Sequence, residues 1–309
     1  MADTVANPTT QRYAVVTGAN KGIGFEVVRQ LASKQVVVVV LTARDEKRGL
    51  EAVEKLRAEG LFDYVVFHQL NVTDPDSCAS LADFVQSGSL ISCTVTARVN
   101  NAGIAGVVVD VEAFEAVAHA AHEPGGAPKV DWSKMASQPY EAAAECLQTN
   151  YYGVKRVVAA LLPLLQLSDH PIIVNVSSSA GKLKNIPSER IRGILDDTEN
   201  LTEEKLDDLL DEFLKDMKEG ALESKGWPQH MAAYFVSKAA LNAYARILAE
   251  KYPNVCINSV CPGYVKTDIN YNIGVLSVED GAASVVRLAL LDKGAPSGRF
   301  FIRQEETDY

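Results

Sequence analysis

Six short runs dense in β-branched residues alternate with helical patterns along this chain, and that alternation limits the possible folds most. Tyr13–Thr17, Val36–Thr42, Tyr64–Leu70, Val95–Asn100, Ile172–Ser177 and Val255–Val260 read as strands, with Arg299–Ile302 a weaker seventh. Helical stretches fall between them, near Gly22–Ser33, Glu46–Glu59, Pro75–Val85, Tyr140–Leu165, Tyr234–Lys251 and Val278–Leu291. The strands are dense in valine and do not alternate apolar with polar residues, which predicts burial on both faces. Strands of that kind separated by helices predict an α/β fold with a mostly parallel, helix-covered sheet. Length alone leaves open one large domain or two small ones in 309 residues.

The turn after the first strand carries Gly18, Gly22 and Gly24, spaced Gly-x-x-x-Gly-x-Gly, and opens a helix. Glycines allow a tight turn and a close approach to a pyrophosphate, which then rests on the helix N-terminus. The spacing is a variant of the common dinucleotide fingerprint. A nucleoside-triphosphate loop is excluded, because no Gly-Lys-Ser/Thr stands at the required place. The second strand ends Leu41-Thr-Ala-Arg44. An acidic residue there would bind ribose hydroxyls, whereas an arginine accommodates a 2′-phosphate, so Arg44 and Lys21 favour NADP(H). Arg48 is a possible third charge.

Tyr234 and Lys238 stand four residues apart in Tyr-Phe-Val-Ser-Lys, on one face of a helix. A free phenol, with a pKa of about 10, is a poor acid–base at neutral pH, and a neighbouring cation favours its phenolate. A tyrosine so tuned beside a nucleotide loop implies proton transfer coupled to hydride transfer. Tyr151 and Lys155 have the same spacing. Tyr234 precedes a small, apolar face (Ser237, Ala239, Ala240, Leu241), while Tyr151 lies on a helix whose stripe reads as core. Tyr234 is therefore taken as the acid and Tyr151 as packing.

A net charge of −10 argues against nucleic acid or anionic membrane as the main partner. The five cysteines are odd in number and lack a Cys-x-x-Cys, which reads as buried thiols in a reducing compartment. The first residues form no apolar leader, and a cytoplasmic protein is expected. His119 and His122 share a stretch that reads as a loop without a third metal-ligand signal, so no metal site is expected. A serine hydrolase fits poorly, because the Ser177–Gly181 region lacks the first glycine of Gly-x-Ser-x-Gly. Between Ser178 and Tyr234, the stretch Asn185–Gly226 holds thirteen acidic and six basic residues. Within it Leu206, Leu209, Leu210, Phe213, Leu214 and Met217 form one helical stripe, and Thr202 is a credible N-cap. The segment reads as an ordered amphipathic helix.

Taken together, these motifs resemble the short-chain dehydrogenase/reductase family over nearly the whole chain. The matching residues are Thr17-Gly-x-x-x-Gly-Ile-Gly24, Asn100-Asn-Ala-Gly103, Asn150, Ser178, Tyr234-x-x-Ser-Lys238 and Pro262-Gly263, in family order. Asn20-Lys21, Thr42-Ala-Arg44 and the insertion look like the carbonyl reductase branch, and within it the plant salutaridine and menthone reductase group. The resemblance implies one catalytic domain over 1–309 with a helical insertion at about 185–226. It implies a doubly wound, seven-stranded sheet of Rossmann type. It further implies a tetrad in which Ser178 holds the substrate carbonyl and Tyr234 supplies the proton. Lys238 would hold the nicotinamide ribose and depress the tyrosine pKa, and Asn150 would interrupt its helix and hold a water. Gly18, Asn20, Lys21, Gly22, Ile23, Gly24, Arg44, Asn71, Val72, Asn101, Gly103, Pro262, Gly263, Val265 and Thr267 would line the cofactor.

Two positions depart from the family. Asn71 replaces the usual aspartate before Val72, and an amide both donates and accepts. Arg98 occupies a normally aliphatic position in a central strand, where a charge is costly unless paired. The leading expectation is an NADPH-dependent reductase of a small hydrophobic ketone or aldehyde, with Val107–Pro139 and the insertion walling its pocket. Reduction of an enone double bond and a non-catalytic NADP sensor are the alternatives. The insertion is expected to take the place of a dimer contact, leaving a monomer.

Overall fold

The computed structural model describes residues 11–35, 37–87, 93–110 and 135–309. Its strands are β1 (Gln11–Val16), β2 (Val38–Ala43), β3 (Val65–Gln69), β4 (Cys93–Asn100), β5 (Val108–Val109), β6 (Ala136–Ser137), β7 (Ile172–Val176), β8 (Cys256–Cys261), β9 (Arg299–Ile302) and β10 (Glu305–Thr307). The main sheet runs β3-β2-β1-β4-β7-β8-β9-β10, while β5 and β6 pair separately. Every neighbouring pair in the main sheet is parallel except β9 with β10. The seven expected strands are present, and β10 makes an eighth. Sequence reading misses β10 because Glu305, Glu306 and Thr307 carry no apolar signal. A two-residue turn, with Arg303 at φ 57°, folds it back on β9.

Burial on both faces follows from the two-residue period of a strand. In β1, Tyr13 and Val15 enter one core while Ala14 and Val16 enter the other. The second core is closed by α1 (Gly22–Ser33), α2 (Glu46–Ala58) and, from the far end of the chain, Val278–Ala289. On the first core lie α3 (Pro75–Ser87), α4 (Tyr140–Leu147) and α5 (Gly153–Leu165). The helix expected over Tyr140–Leu165 is thus split by a π-helical turn, Gln148–Tyr152.

The insertion is helical, with α6 (Glu189–Asp196), α7 (Glu203–Lys218) and α8 (Leu222–Lys225), followed by the tyrosine helix α9 (Ala232–Lys251) and then α10 (Val278–Ala289). Thr202 caps α7 by accepting a hydrogen bond from Lys205 N, as its sequence signature predicts. Leu206, Leu209, Leu210 and Phe213 are buried in the first core with residues of α5 and α9, and Leu214 and Met217 pack at its margin. Burying these six side chains contributes roughly 10 kcal/mol before ordering costs. Tyr151 Oη and Lys155 Nζ both donate to Asp207 of α7, at 2.8 and 2.6 Å, and Trp227 Nε1 donates to Asp216 at 2.8 Å.

Arg98 finds its partners among neutral groups. Its Nη2 donates to Asn100 Oδ1 and, at 3.2 Å, to Val154 O, and Asn100 Nδ2 donates onward to Asn175 Oδ1 at 2.7 Å. With no carboxylate paired to it among the described residues, burial pushes the guanidinium down to about 9. Cys78, Cys146, Cys256 and Cys261 are buried free thiols. Among the described residues no helix is long and apolar enough to cross a membrane.

Candidate active site

The strand order reverses between β1 and β4, so the loops after these strands face each other across a crevice at their carboxyl ends. Thr17 and Asn101 stitch the two loops together. Thr17 Oγ1 accepts from Asn101 N and Ala102 N at 3.0 Å, and Asn101 Nδ2 donates to the Thr17 and Gly18 carbonyls at 3.0 Å. This contact explains two of the glycines. Gly18 has φ 63°, and a Cβ there would lie 2.9 Å from Ala102 Cα; a Cβ on Gly24 would lie 2.3 Å from Asn101 Nδ2. Helix α1 then begins at Gly22 with no side-chain cap and no acidic residue in its first turn. Its free amides and dipole suit an anionic diphosphate, so these residues fit a dinucleotide.

The two cations expected at the 2′-phosphate each rest on a carboxylate. Arg44 lies 3.7 Å from Glu145, and Lys21 Nζ donates to Asp268 at 2.7 Å. Arg44 is 74% and Lys21 59% exposed, and ion pairs so exposed are worth about 0–1 kcal/mol. Both cations are therefore readily transferred to a phosphate dianion. The Lys21–Asp268 pair bridges the glycine loop to the segment after β8. In that segment Thr267 Cγ2 lies 3.5 Å from where a Gly22 Cβ would stand, and Gly263 turns with φ 94°. Val265 is 3% exposed, its side chain against Gly281 and its backbone against Gly274. Asn71 Oδ1 accepts from Thr73 N and Oγ1 at 3.2 and 2.9 Å, so this oxygen holds its own turn. Val72 is buried against Gly153.

The four tetrad candidates converge beside these loops. Ser178 follows β7 by two residues, close enough to Tyr234 to favour its phenolate, and its Oγ accepts from Ala180 N at 3.1 Å. Neighbouring Ser177 is turned inward, with Oγ buried and unpartnered. Lys238 Nζ donates to Val176 O at 2.8 Å and lies 5.7 Å from the Tyr234 ring centroid. A Cβ on Gly103 would touch both Asn150 Oδ1, at 3.2 Å, and Lys238 Nζ, at 3.6 Å, so only a glycine leaves that gap open.

The expected lowering of the phenol by Lys238 is not what this geometry gives. Burial pushes Tyr234 up to about 12, opposed by the Ser178 hydrogen bond, and burial pushes Lys238 down to about 8. Desolvation dominates at both groups, and the ammonium donates to the Val176 carbonyl. The second Tyr-x-x-x-Lys pair is structural. Tyr151 is fully buried, and burial together with Asp207 raises its pKa.

Asn150 sits in the π-helical turn, 1% exposed. Its Oδ1 accepts from Ile104 N at 2.9 Å, and its Nδ2 reaches Ile104 O at 2.9 Å, Ser237 Oγ at 3.0 Å and Cys146 Sγ at 3.2 Å. Neither Cys146 nor Asp268 is marked as a site residue by its sequence context. Of the wall expected from Val107–Pro139, residues 111–134 lie outside the described residues, as do His119 and His122. A surface cavity of about 340 Å³ bordered by Thr198, Leu201, Arg246 and Ser297 lies at the far end of α9 from Tyr234, remote from this chemistry.

The crevice, glycine loop and tyrosine–lysine helix define a nicotinamide-dependent oxidoreductase, and the chain belongs to the short-chain dehydrogenase/reductase family. The short chain dehydrogenase profile matches residues 12–188. A second, described as enoyl-(acyl carrier protein) reductase, matches residues 221–293. The chain is 56% identical over 312 residues to "Short-chain dehydrogenase/reductase 1" of Saponaria officinalis, covering 100% of both. It is 53% identical to a (+)-neomenthol dehydrogenase of Arabidopsis thaliana, covering 97% of this chain and 99% of that one. The solved structure of salutaridine reductase from Papaver somniferum aligns with a TM-score of 0.89 at 49% identity, covering 94% of this chain and 99% of that one.

Proposed function

We propose that the protein reduces the carbonyl of a small, hydrophobic, cyclic terpenoid or alkaloid ketone or aldehyde to the alcohol, with NADPH as reductant, in the cytoplasm. Meeting of Ser178, Tyr234, Lys238 and Asn150 at the crevice beside the glycine loop carries this reading. Relatives named for neomenthol and salutaridine support the substrate class. Gly18, Gly22, Gly24 and the α1 N-terminus hold the diphosphate, with Arg44 and Lys21 on the 2′-phosphate. When bound, the cofactor supplies the hydride. Ser178 Oγ donates a hydrogen bond to the substrate carbonyl oxygen, fixing it beside Tyr234 Oη. Tyr234 then gives its proton to that oxygen as negative charge develops there, so no free alkoxide accumulates. A phenol kept protonated by its buried setting suits the acid role in this direction. Lys238 holds the cofactor ribose and stabilises the phenolate left behind.

NADPH oxidation screened against menthone, alkaloid ketones, quinones and aliphatic aldehydes, with product identification, tests the reading. Alcohol formation from a cyclic ketone is the expected result. A saturated ketone formed from an enone would instead assign double-bond reduction. Absence of turnover with every substrate despite tight NADPH binding would favour the sensor.

A further inference from the structure

Asn150 is held by a closed ring of side chains, two of which have no role in the reduction as described so far. Its amide nitrogen has two protons and three acceptors within reach: Ile104 O, Ser237 Oγ and Cys146 Sγ. Ser237 Oγ in turn donates to Tyr234 O at 2.8 Å. The Cys146 thiol donates to Ile104 O at 3.4 Å and lies 3.8 Å from Ser237 Oγ. The three side chains of the ring are deeply buried, Cys146 and Ser237 at 0% exposed and Asn150 at 1%, and Ile104 is partly buried against them. The ring joins three separate parts of the site. Asn150 and Cys146 come from the broken helix, Ile104 from the loop after β4, and Ser237 from the first turns of the tyrosine helix.

We infer that Ser237 and Cys146 are positioning residues: through Asn150 they lock the loop after β4 to the backbone of Tyr234, setting the phenol's place relative to Ser178 and the crevice. The inference rests on the tetrad reading above and extends it to two more side chains. The chemistry of the two positions supports it. Ser237 must both accept from Asn150 and donate to Tyr234 O, which a hydroxyl does and a methyl cannot. Cys146 is a neutral thiol at working pH, since burial pushes it up to about 12. It therefore serves as a weak donor and acceptor and not as a nucleophile. The space is also closed around it, because a Cβ on Gly106 would lie 2.6 Å from Cys146 Cβ. Small displacements of a catalytic group suffice to cost on the order of 100-fold in rate, so losing one tether should be measurable without unfolding the protein.

The test compares Ser237→Ala, Cys146→Ala and Cys146→Ser with wild type, with Tyr234→Phe as a control on the tetrad itself. Ser237→Ala should lower kcat about tenfold while KM for NADPH and ketone stays within about twofold. Cys146→Ala should lower kcat several-fold, and Cys146→Ser, whose hydroxyl keeps donor and acceptor, should restore most of it. The double alanine variant should lose more than the product of the two single losses, because only then do two amide protons face a single remaining acceptor, Ile104 O. Wild-type kcat in Ser237→Ala overturns the inference. So does a loss confined to Tm, or equal effects of Cys146→Ala and Cys146→Ser on kcat. Full activity in Tyr234→Phe would show instead that the tetrad reading itself has failed.

Discussion

Two tyrosines share one spacing, and their surroundings separate them. Tyr234→Phe removes only the transferable proton, so turnover should be abolished while NADPH binding, followed by fluorescence titration, survives. Tyr151→Phe leaves Asp207 still paired with Lys155, so kcat should be unchanged, with a stability loss of about 1 kcal/mol for the missing hydrogen bond. Lys238 carries a measurable conflict between stability and chemistry. Burial lowers it from 10.5 to about 8, so below pH 8 the folded protein holds an ammonium that the unfolded chain solvates better. That penalty is full below pH 8. It is lifted progressively between pH 8 and 10.5, where the folded lysine is neutral and the unfolded one still charged. Lys238→Met should therefore be inactive but more stable at neutral pH, by roughly 3 kcal/mol at most. Denaturant titrations should show wild type closing that gap as pH rises from 8 to 10.5.

At the scale of elements, the second strand and the insertion each give a test. Arg44 directly follows β2 and sits on an exposed ion pair, free to move to a phosphate. NADPH should exceed NADH in kcat/KM by tenfold or more, on the order of 1.4 kcal/mol, and Arg44→Asp should narrow or reverse that preference. Equal use of both cofactors by wild type would sink the assignment. Helix α7 is held by its apolar stripe, with Phe213 fully buried 5.1 Å from the Trp227 ring. Phe213→Ala should cost about 3–5 kcal/mol by calorimetry or denaturant unfolding. A much smaller loss would mean that the insertion is loosely docked.

For the whole molecule, the insertion bears on assembly. The family resemblance implies a pairing surface on the helices carrying the asparagine and the tyrosine. Here α7 covers both, through its stripe and through Asp207 and Glu203, which reach Lys155 of α5 and Lys251 of α9. We propose a monomer built as a single catalytic domain, in which the insertion replaces the dimer contact and walls the substrate site. Sedimentation at micromolar concentration should return the mass of one chain, 33.4 kDa. A stable dimer would refute this. Replacing Asn185–Gly226 by a short loop should also change the substrate profile of any variant that still folds.

The sequence by itself determined the elements and their order, because period, capping and turn chemistry are set by residues close along the chain. The paired valine faces of β1, the Thr202 cap, the glycine turn and the tyrosine–lysine face were all legible that way. The interruption at Asn150 came from the family resemblance and not from local pattern, which read one helix over Tyr140–Leu165. What only the tertiary structure decided are partnerships between distant residues. Lys21 meets Asp268 across 247 positions, Asn150 meets Ser237 across 87, and Tyr151 meets Asp207 across 56. No local pattern encodes such pairs, since they exist only after the sheet order brings the loops together. The same reason hid β10, whose polar residues form a strand only because β9 offers them an edge. It also hid the partners of Arg98, which are an amide and a helix carbonyl. The lysine shows the limit most plainly: four residues fix it beside the tyrosine, but the Val176 carbonyl, 62 positions away, decides where its charge is aimed.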